Sequence, residues 1–481
     1  MVEMTSTLPY LSYIPAHLIM GVAILVFFLA KAIPGLKNVS PVGIFVLVLI
    51  AGFVTELMMG SESKSLFFNM LQVDSYSRFY NQLFFIIIGV TVLMMKNNDE
   101  MNRSIEWEVF GLLSTICLGM MMMTSATHLL MIVVGIELVS LPSYILVALN
   151  RRFSTSKEAS LKYVLFGSFA TGIMLYGISL LFGLTGTLQL KSLWPALAAS
   201  PNFGTPIYYI AIIMTLAGMS FKIAAVPFHF WCPDAYQAAP TPITAFLSVA
   251  PKVAGLALIM RFFADHVPVQ SEQLSMIVSL IAMITMTLGN FAALRQKDIK
   301  RLLAYSSISH AGFLLMGIAV MNEVGRQYVF FYIVIYALMN MGAFMAIIYL
   351  SQGRNFEIKS FAGLIKSKPV MVVGFTICLF SLAGLPPFGG FVGKFYLFWV
   401  VIEKGFWALA AVAGVNSVVS LYYYVGVIKT MIIDEREGQM PDFSTQSSVP
   451  IGFVILCAIP IVVFGLYWNP LVNLSALVHM F

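Results

Sequence analysis

The sequence predicts an all-α polytopic membrane protein of about 14 transmembrane helices, built as two inverted five-helix repeats with one broken helix in each. Three observations carry that expectation. Hydrophobic residues make up 60% of the 481-residue chain and charged residues only 10%, against roughly a quarter charged in soluble domains. The apolar residues fall in runs of about 20, the length that crosses a bilayer as a helix. Two of those runs are interrupted by proline beside a lysine, and paired interruptions at matching positions point to a transport pathway.

Taken in order, apolar runs bounded by charge, Gly or Pro place spans near 10–33, 40–60, 79–96, 109–124, 128–149, 159–184 and 206–225. The remaining seven fall near 242–263, 274–294, 301–321, 327–350, 369–402, 406–432 and 450–479. The first run lacks a basic segment and a small-residue cleavage site before it, so it reads as a retained helix. An even number of spans puts both termini on one face. Alternating the loops then leaves about seventeen Lys and Arg on the opposite face and about six on the terminal face, and the positive-inside bias sets both termini outside. Much of the inner charge is in Arg151, Arg152 and Lys157, in Arg295, Lys297, Lys300 and Arg301, and in Arg354, Lys359, Lys366 and Lys368.

The seventh predicted span runs into SFKIAAVPFHFWCPDAYQAAPTP and the twelfth contains SLAGLPPFGGFVGKFYLF. Proline removes a backbone donor, and lipid tolerates the freed carbonyls only where they face protein or a wet cavity. If spans 4–8 and 9–13 are two units, each break falls in the fourth span of its unit, and an odd count makes the units inverted copies. The domain reading is therefore 1–108, an N-terminal three-helix segment; 109–263 and 264–432, the two repeats; and 433–481, a C-terminal helix. Sequence identity between the halves is too low to prove the repeat.

Composition excludes several functions. The net charge of +6 is scattered through short loops, the pattern of a membrane protein and not of a nucleic-acid surface. Cys117, Cys232, Cys378 and Cys457 are far apart and form no CxxC, so neither a disulfide framework nor an iron–sulfur site is expected. No two histidines share a helix at the spacing of about thirteen that stacked haems need. No Walker motif or strand-borne GxGxxG occurs. The thirty methionines read as lipid-facing or core filler.

What remains are ionisable groups inside apolar spans: Glu137, Lys162, Lys222, Lys252 and Lys394. Each central Lys or Asp costs roughly 2.5–3.5 kcal/mol on insertion scales, which makes such residues functional candidates by default. Glu137 has no polar neighbour on its helix but Ser140, and Lys222 is its natural partner, either as a structural ion pair or as a switchable one. The energies allow a switch. A lysine must lose about 4 kcal/mol of preference for its charged form to release a proton near neutral pH, and moving one charge against about 150–200 mV costs roughly 3.5–4.6 kcal/mol. Lys252 and Lys394 extend a lateral row of proton carriers or snorkel to the interface, as does Lys162, which stands only a few residues inside its span. His229 and His310 either relay protons between lysines or sit neutral in the core. Tyr305, Ser306, Ser307 and Ser309 form a polar stripe that holds water or bonds backbone carbonyls.

GIELVSLPSYIL around Glu137, EASLKYVLFGSFATG around Lys162, the run from Ser220 to Phe263 with Lys222, His229 and Lys252, DIKRLLAYSSISHAGFLLMG with His310, and SLAGLPPFGGFVGKFYLF with Lys394 together resemble the antiporter-like subunits of proton-translocating NADH:quinone oxidoreductase, respiratory complex I, subunit N in particular. The likeness covers about residues 80–430. It implies fourteen helices with discontinuous helices 7 and 12, Glu137 and Lys222 as a coupling pair, Lys252, His310 and His229 as the connection, and Lys394 as its end. It also implies other membrane-arm subunits as partners, a bacterial inner membrane, lipid and protons as the surroundings and cargo, and no cofactor in this chain, with NADH, FMN, iron–sulfur clusters and quinone in partner subunits. Sister subunit M typically carries a glutamate where this chain has Lys394, and Pro251 before Lys252 departs from the family pattern. Rival readings are a sodium/proton antiporter subunit of Mrp type without a redox partner, and a passive spacer needed only for assembly.

Overall fold

The structure is a computed structural model that describes residues 11–32, 39–60, 62–98, 100–101, 103–150, 154–263, 272–352, 356–436, 443 and 447–477. The ends of the first and last predicted spans and Arg151, Arg152 and Arg354 lie outside the described residues. Eighteen α-helices are described: α1 Pro15–Leu29, α2 Pro41–Met58, α3 Ser75–Lys96, α4 Glu106–Ser125, α5 Leu129–Val147, α6 Ser154–Thr185, α7 Leu190–Ala199, α8 Pro206–Ile223, α9 Trp231–Ala238 and α10 Thr241–Phe262. The second half holds α11 Glu272–Ala293, α12 Ile299–Ala319, α13 Glu323–Ser351, α14 Pro369–Ala383, α15 Gly389–Glu403, α16 Trp407–Ile432, α17 Val449–Leu466 and α18 Asn469–Leu477. Twelve of these are long and apolar enough to cross a membrane, and α1 and α14 are shorter apolar helices. Pairing α8 with α9 and α14 with α15 as broken spans gives the fourteen spans expected.

Burial sorts the helices into layers. Every residue of α10 is buried, and α12 and α13 are nearly so, whereas α2, α6, α11, α16 and α17 present broad apolar faces outward. An α-helix can be apolar all round only in a core or in lipid, and here both cases occur. Small departures from the sequence reading are the surface helix α7 and a hairpin of β1 (Lys64–Leu66) and β2 (Leu71–Val73), both in loops too polar to register as spans.

The repeat, invisible in residue identity, is visible in the backbone. Ahead of α5, His128 pairs antiparallel with Gln189, which follows α6; ahead of α12, Asp298 pairs antiparallel with Glu357, which follows α13. The hydrogen bonds match one for one. Leu129 N donates to Leu188 O and Leu190 N to Thr127 O, while Ile299 N donates to Phe356 O and Ile358 N to Lys297 O. In both places the bridged residue also caps the helix: Leu130 N donates to His128 Nδ1, and Arg301 N to Asp298 Oδ1. Only unprotonated imidazole can accept there, and burial pushes the His128 pKa down, which favours that form. Gly119 and Gly289 lie at the same distance before these bridges, and in each a Cβ would strike the next helix of its unit. Since five spans separate them, the two bridges lie on opposite faces of the membrane.

At the terminal face a buried ion pair ties the N-terminal helices to the core. Arg261 Nη2 at the end of α10 donates to both carboxylate oxygens of Asp74 at 2.8 and 2.9 Å, and Asp74 also caps α3 by accepting from Ser77 N. The Arg261 guanidinium lies over the Tyr76 ring, whose hydroxyl donates to Ala257 O. Removing one partner of such a pair strands the other charge in the interior. Asp74→Ala should therefore destabilise the fold by about 3–5 kcal/mol, read as loss of the folded subunit in detergent on heating, while Asp74→Glu should restore part of it.

Candidate functional site

The two broken spans are built alike and used differently. In the first, α8 ends at Ile223 and Ala224 takes a left-handed φ of 57°, with Ala225 N donating back to Ser220 O. In the second, α14 ends at Ala383 and Gly384 takes φ 85°, with Leu385 N donating back to Phe380 O. Both are left-handed helix ends that satisfy part of the freed backbone. A cis prolyl peptide follows in each, at Val226–Pro227 and Pro386–Pro387.

Lys394, on α15, reaches back to the end of α14. Its Nζ donates to Leu382 O and Ala383 O at 3.0 Å each and lies 4.7 Å from the Phe313 ring centre. Carbonyls at a helix C-terminus carry the negative end of the dipole, so an ammonium is held there without a carboxylate. Gly384 is required twice: for its backbone conformation, and because a Cβ would stand 2.8 Å from Lys394 Cδ.

Lys222 is placed on the other side of its own break, in the last turn of α8. It is 1% exposed and its Nζ has no hydrogen-bond partner among the described residues. Gly255 lets α10 pass close beside it, since a Cβ there would meet Ile223 and the Lys222 Cβ. Glu137 lies within electrostatic reach of Lys222 but does not touch it. The half-buried carboxylate instead accepts from Thr171 Oγ1 of α6 at 2.6 Å. The expected Glu137–Lys222 pair is thus open in this arrangement, and Thr171 is a partner that the sequence reading did not foresee.

From α10 onward the polar groups connect. Lys252, 2% exposed, donates to Ser307 Oγ at 2.7 Å and lies 5.6 Å from the Tyr236 ring centre. Pro251 does not expel it, because α10 runs unbroken through that proline. On the same helix as Ser307, His310 bonds the Tyr332 hydroxyl through Nδ1 at 2.8 Å and the Tyr424 hydroxyl through Nε2 at 3.3 Å. Tyr424 also bonds Ser306. His310 is within electrostatic reach of both Lys252 and Lys394. Three expected residues, Lys252, His310 and Lys394, therefore fall in one buried row, with Ser307 bonded to Lys252, Tyr332 and Tyr424 bonded to His310, and both lysines within electrostatic reach of the histidine. Of the polar stripe, Ser307 also donates to Ala304 O, while Tyr305 is only half-buried. His229 is buried in the first break beside Phe230.

Lys162 stands apart from this row. Its side chain is 41% exposed and pairs with Glu158 at 2.7 Å and Asp234 at 2.9 Å. Asp234 also accepts from Arg301 at 2.7 Å, so one carboxylate joins α6, α9 and α12. A cavity of about 220 Å³ opens there, lined by Glu158, Lys162, Asp234 and Gln237 among others. The short helix α9 is two-faced: Asp234 is pinned at this mouth, while Cys232 and Tyr236, one turn apart, lie against Lys252. Among the described residues no three His, Cys, Asp or Glu side chains form a metal-binding group.

Fourteen spans, two of them broken, around a buried row of lysines and a histidine define an antiporter-like membrane subunit. Residues 126–420 match the family described as NADH:quinone oxidoreductase/Mrp antiporter, TM. The NADH-quinone oxidoreductase subunit N of Anaeromyxobacter sp. (strain Fw109-5) is 41% identical over 443 residues, covering 86% of this chain and 85% of that protein. Subunit N of Paramagnetospirillum magneticum is also 41% identical, over 429 residues and 86% of each chain. Among solved structures, a chain of respiratory complex I from Thermus thermophilus superposes with TM-score 0.81 at 30% identity, covering 95% of this chain and 98% of that one. The chain belongs to the NADH:quinone oxidoreductase/Mrp antiporter family of membrane subunits.

Replacing Asp234 should loosen α9 and leave the bundle intact. Its partners are partly exposed and screened, so Asp234→Asn should cost about 1–2 kcal/mol locally, read as roughly tenfold faster hydrogen exchange of the 231–238 amides with the α10 amides unchanged.

Proposed function

We propose that this chain is a proton-translocating membrane-arm subunit of a bacterial respiratory complex I. Quinone reduction in partner subunits drives it, and NADH, FMN, iron–sulfur clusters and quinone are held there. The observation that carries the reading is the buried row from Lys222 to Lys394 through Lys252 and His310, set in a chain 41% identical to subunit N proteins along most of its length. Termini outside and the basic loops inside follow from the positive-inside bias.

The proposed work is electrostatic. Glu137 has two partners within range: the Thr171 hydroxyl, which it now holds, and Lys222, which it faces across the helix contact. Attraction between carboxylate and ammonium keeps a proton on Lys222, and return of Glu137 to Thr171 frees it, an exchange of the few kcal/mol that a proton-motive step requires. A freed proton moves along Lys252, Ser307, His310 and the tyrosine hydroxyls to Lys394, where helix-end carbonyls receive the charge. Lys162 at the inner mouth and His229 in the break belong to the uptake side of the route.

Lys222→Ala and Glu137→Ala in the assembled complex should each lower proton pumping roughly tenfold or more while the complex still assembles, measured as acidification of inverted vesicles per NADH oxidised. Unchanged pumping per electron would remove these residues from the route. Thr171→Val should act more weakly, by about 1 kcal/mol of bias toward the closed pair.

A further inference from the structure

Outside the lysine row, one ionisable group lies deep in the N-terminal helices with no role in the mechanism above. Glu56, near the outer end of α2, is 6% exposed. Asn81 of α3 donates to its Oε1 at 2.9 Å, and Thr124 of α4 donates to Asn81 Oδ1 at 3.4 Å. Arg78 of α3 lies within electrostatic reach but forms no ion pair with it, and Cys117 of α4 is also in range.

The polar groups that share this end of the bundle are as notable as the carboxyl. Among the described residues, the ring nitrogens of His17 of α1 (8% exposed), the buried Tyr80 hydroxyl and Arg78 Nε and Nη1 have no hydrogen bond of good geometry, although the Met121 backbone lies near His17 and the Tyr76 hydroxyl near Tyr80. Buried donors and acceptors left so are costly unless water reaches them. An apolar helix that keeps a glutamate at such a place keeps it for its charge chemistry, since a lone buried carboxylate costs several kcal/mol. The way out is short: Arg78 Nη2 donates to Glu62 O beyond the end of α2. On the other side, Tyr80 packs on Phe330 of α13, the helix that supplies Tyr332 to His310.

We propose that Glu56 is a second protonation site of this subunit, a wet carboxyl that binds and releases a proton at the outer face during turnover, with Asn81, Thr124, His17, Arg78 and Tyr80 as its polar surround. The step is a proton transfer alone: the carboxyl takes a proton from internal water and returns it to outer water. The inference rests on the pumping role proposed above.

The test uses the whole complex in inverted membrane vesicles, with Lys222→Ala as a control. Glu56→Gln keeps shape and the Asn81 contact but cannot ionise; we expect it to assemble, to reduce quinone, and to lower protons moved per electron roughly twofold or more. Turnover-induced infrared difference spectra of the parent complex should show a carboxyl C=O band that is absent in Glu56→Gln. Parental pumping by Glu56→Gln, or a spectrum in which no carboxyl band depends on Glu56, would overturn the proposal and leave the Asn81 contact as purely structural. The spectrum settles the matter even if the variant assembles poorly, because Glu56→Asp keeps the carboxyl and must keep a shifted band. Parental pumping by Lys222→Ala would instead overturn the functional reading itself.

Discussion

Everything in this molecule follows from the cost of holding charge in hydrocarbon. The bundle meets that cost by surrounding one helix completely: α10 has no exposed residue and carries Lys252, with α12 and α13 packed about it supplying Ser307, His310 and Tyr332. Outer helices then need only be apolar, which is why α2, α16 and α17 show broad lipophilic faces. The polar groups gather in one place because α10, α12 and α13 pack on one another at the centre of the bundle.

The broken spans show two ways of using the same interruption. Lys394 sits after its break and is held by the carbonyls that the break releases, with the Phe313 ring beside it. Lys222 sits before its break, where its Nζ bonds none of the described residues and the Glu137 carboxylate within its reach is held by Thr171. One lysine is therefore hydrogen-bonded by its break, and the other is not.

Length and hydropathy made the spans legible, since a bilayer imposes its thickness on any helix that crosses it, and proline chemistry made both breaks legible. Lys222, Lys252, His310 and Lys394 stood out because ionisable residues in apolar runs are rare. Other features left no such mark. Lys162 reads from sequence as a membrane lysine because the apolar run starts at 159, but α6 starts at Ser154 and the lysine's partners are Glu158 and Asp234. Thr171, Tyr332 and Tyr424 resemble ordinary membrane residues until the fold aims their hydroxyls. Glu56 and Arg261 fall near helix ends, where a charge normally reaches water, and only tertiary packing shows them enclosed. The repeat was legible in its breaks, and its proof lay in main-chain pairing, which residue identity does not record.

Those matched antiparallel bridges have a mechanical consequence. His128–Gln189 ties the first unit at one face of the bundle, and Asp298–Glu357 ties the second at the opposite face. The two bridges thus hold the repeats at opposite depths, each tying the start of its unit's second span to the segment that follows the third.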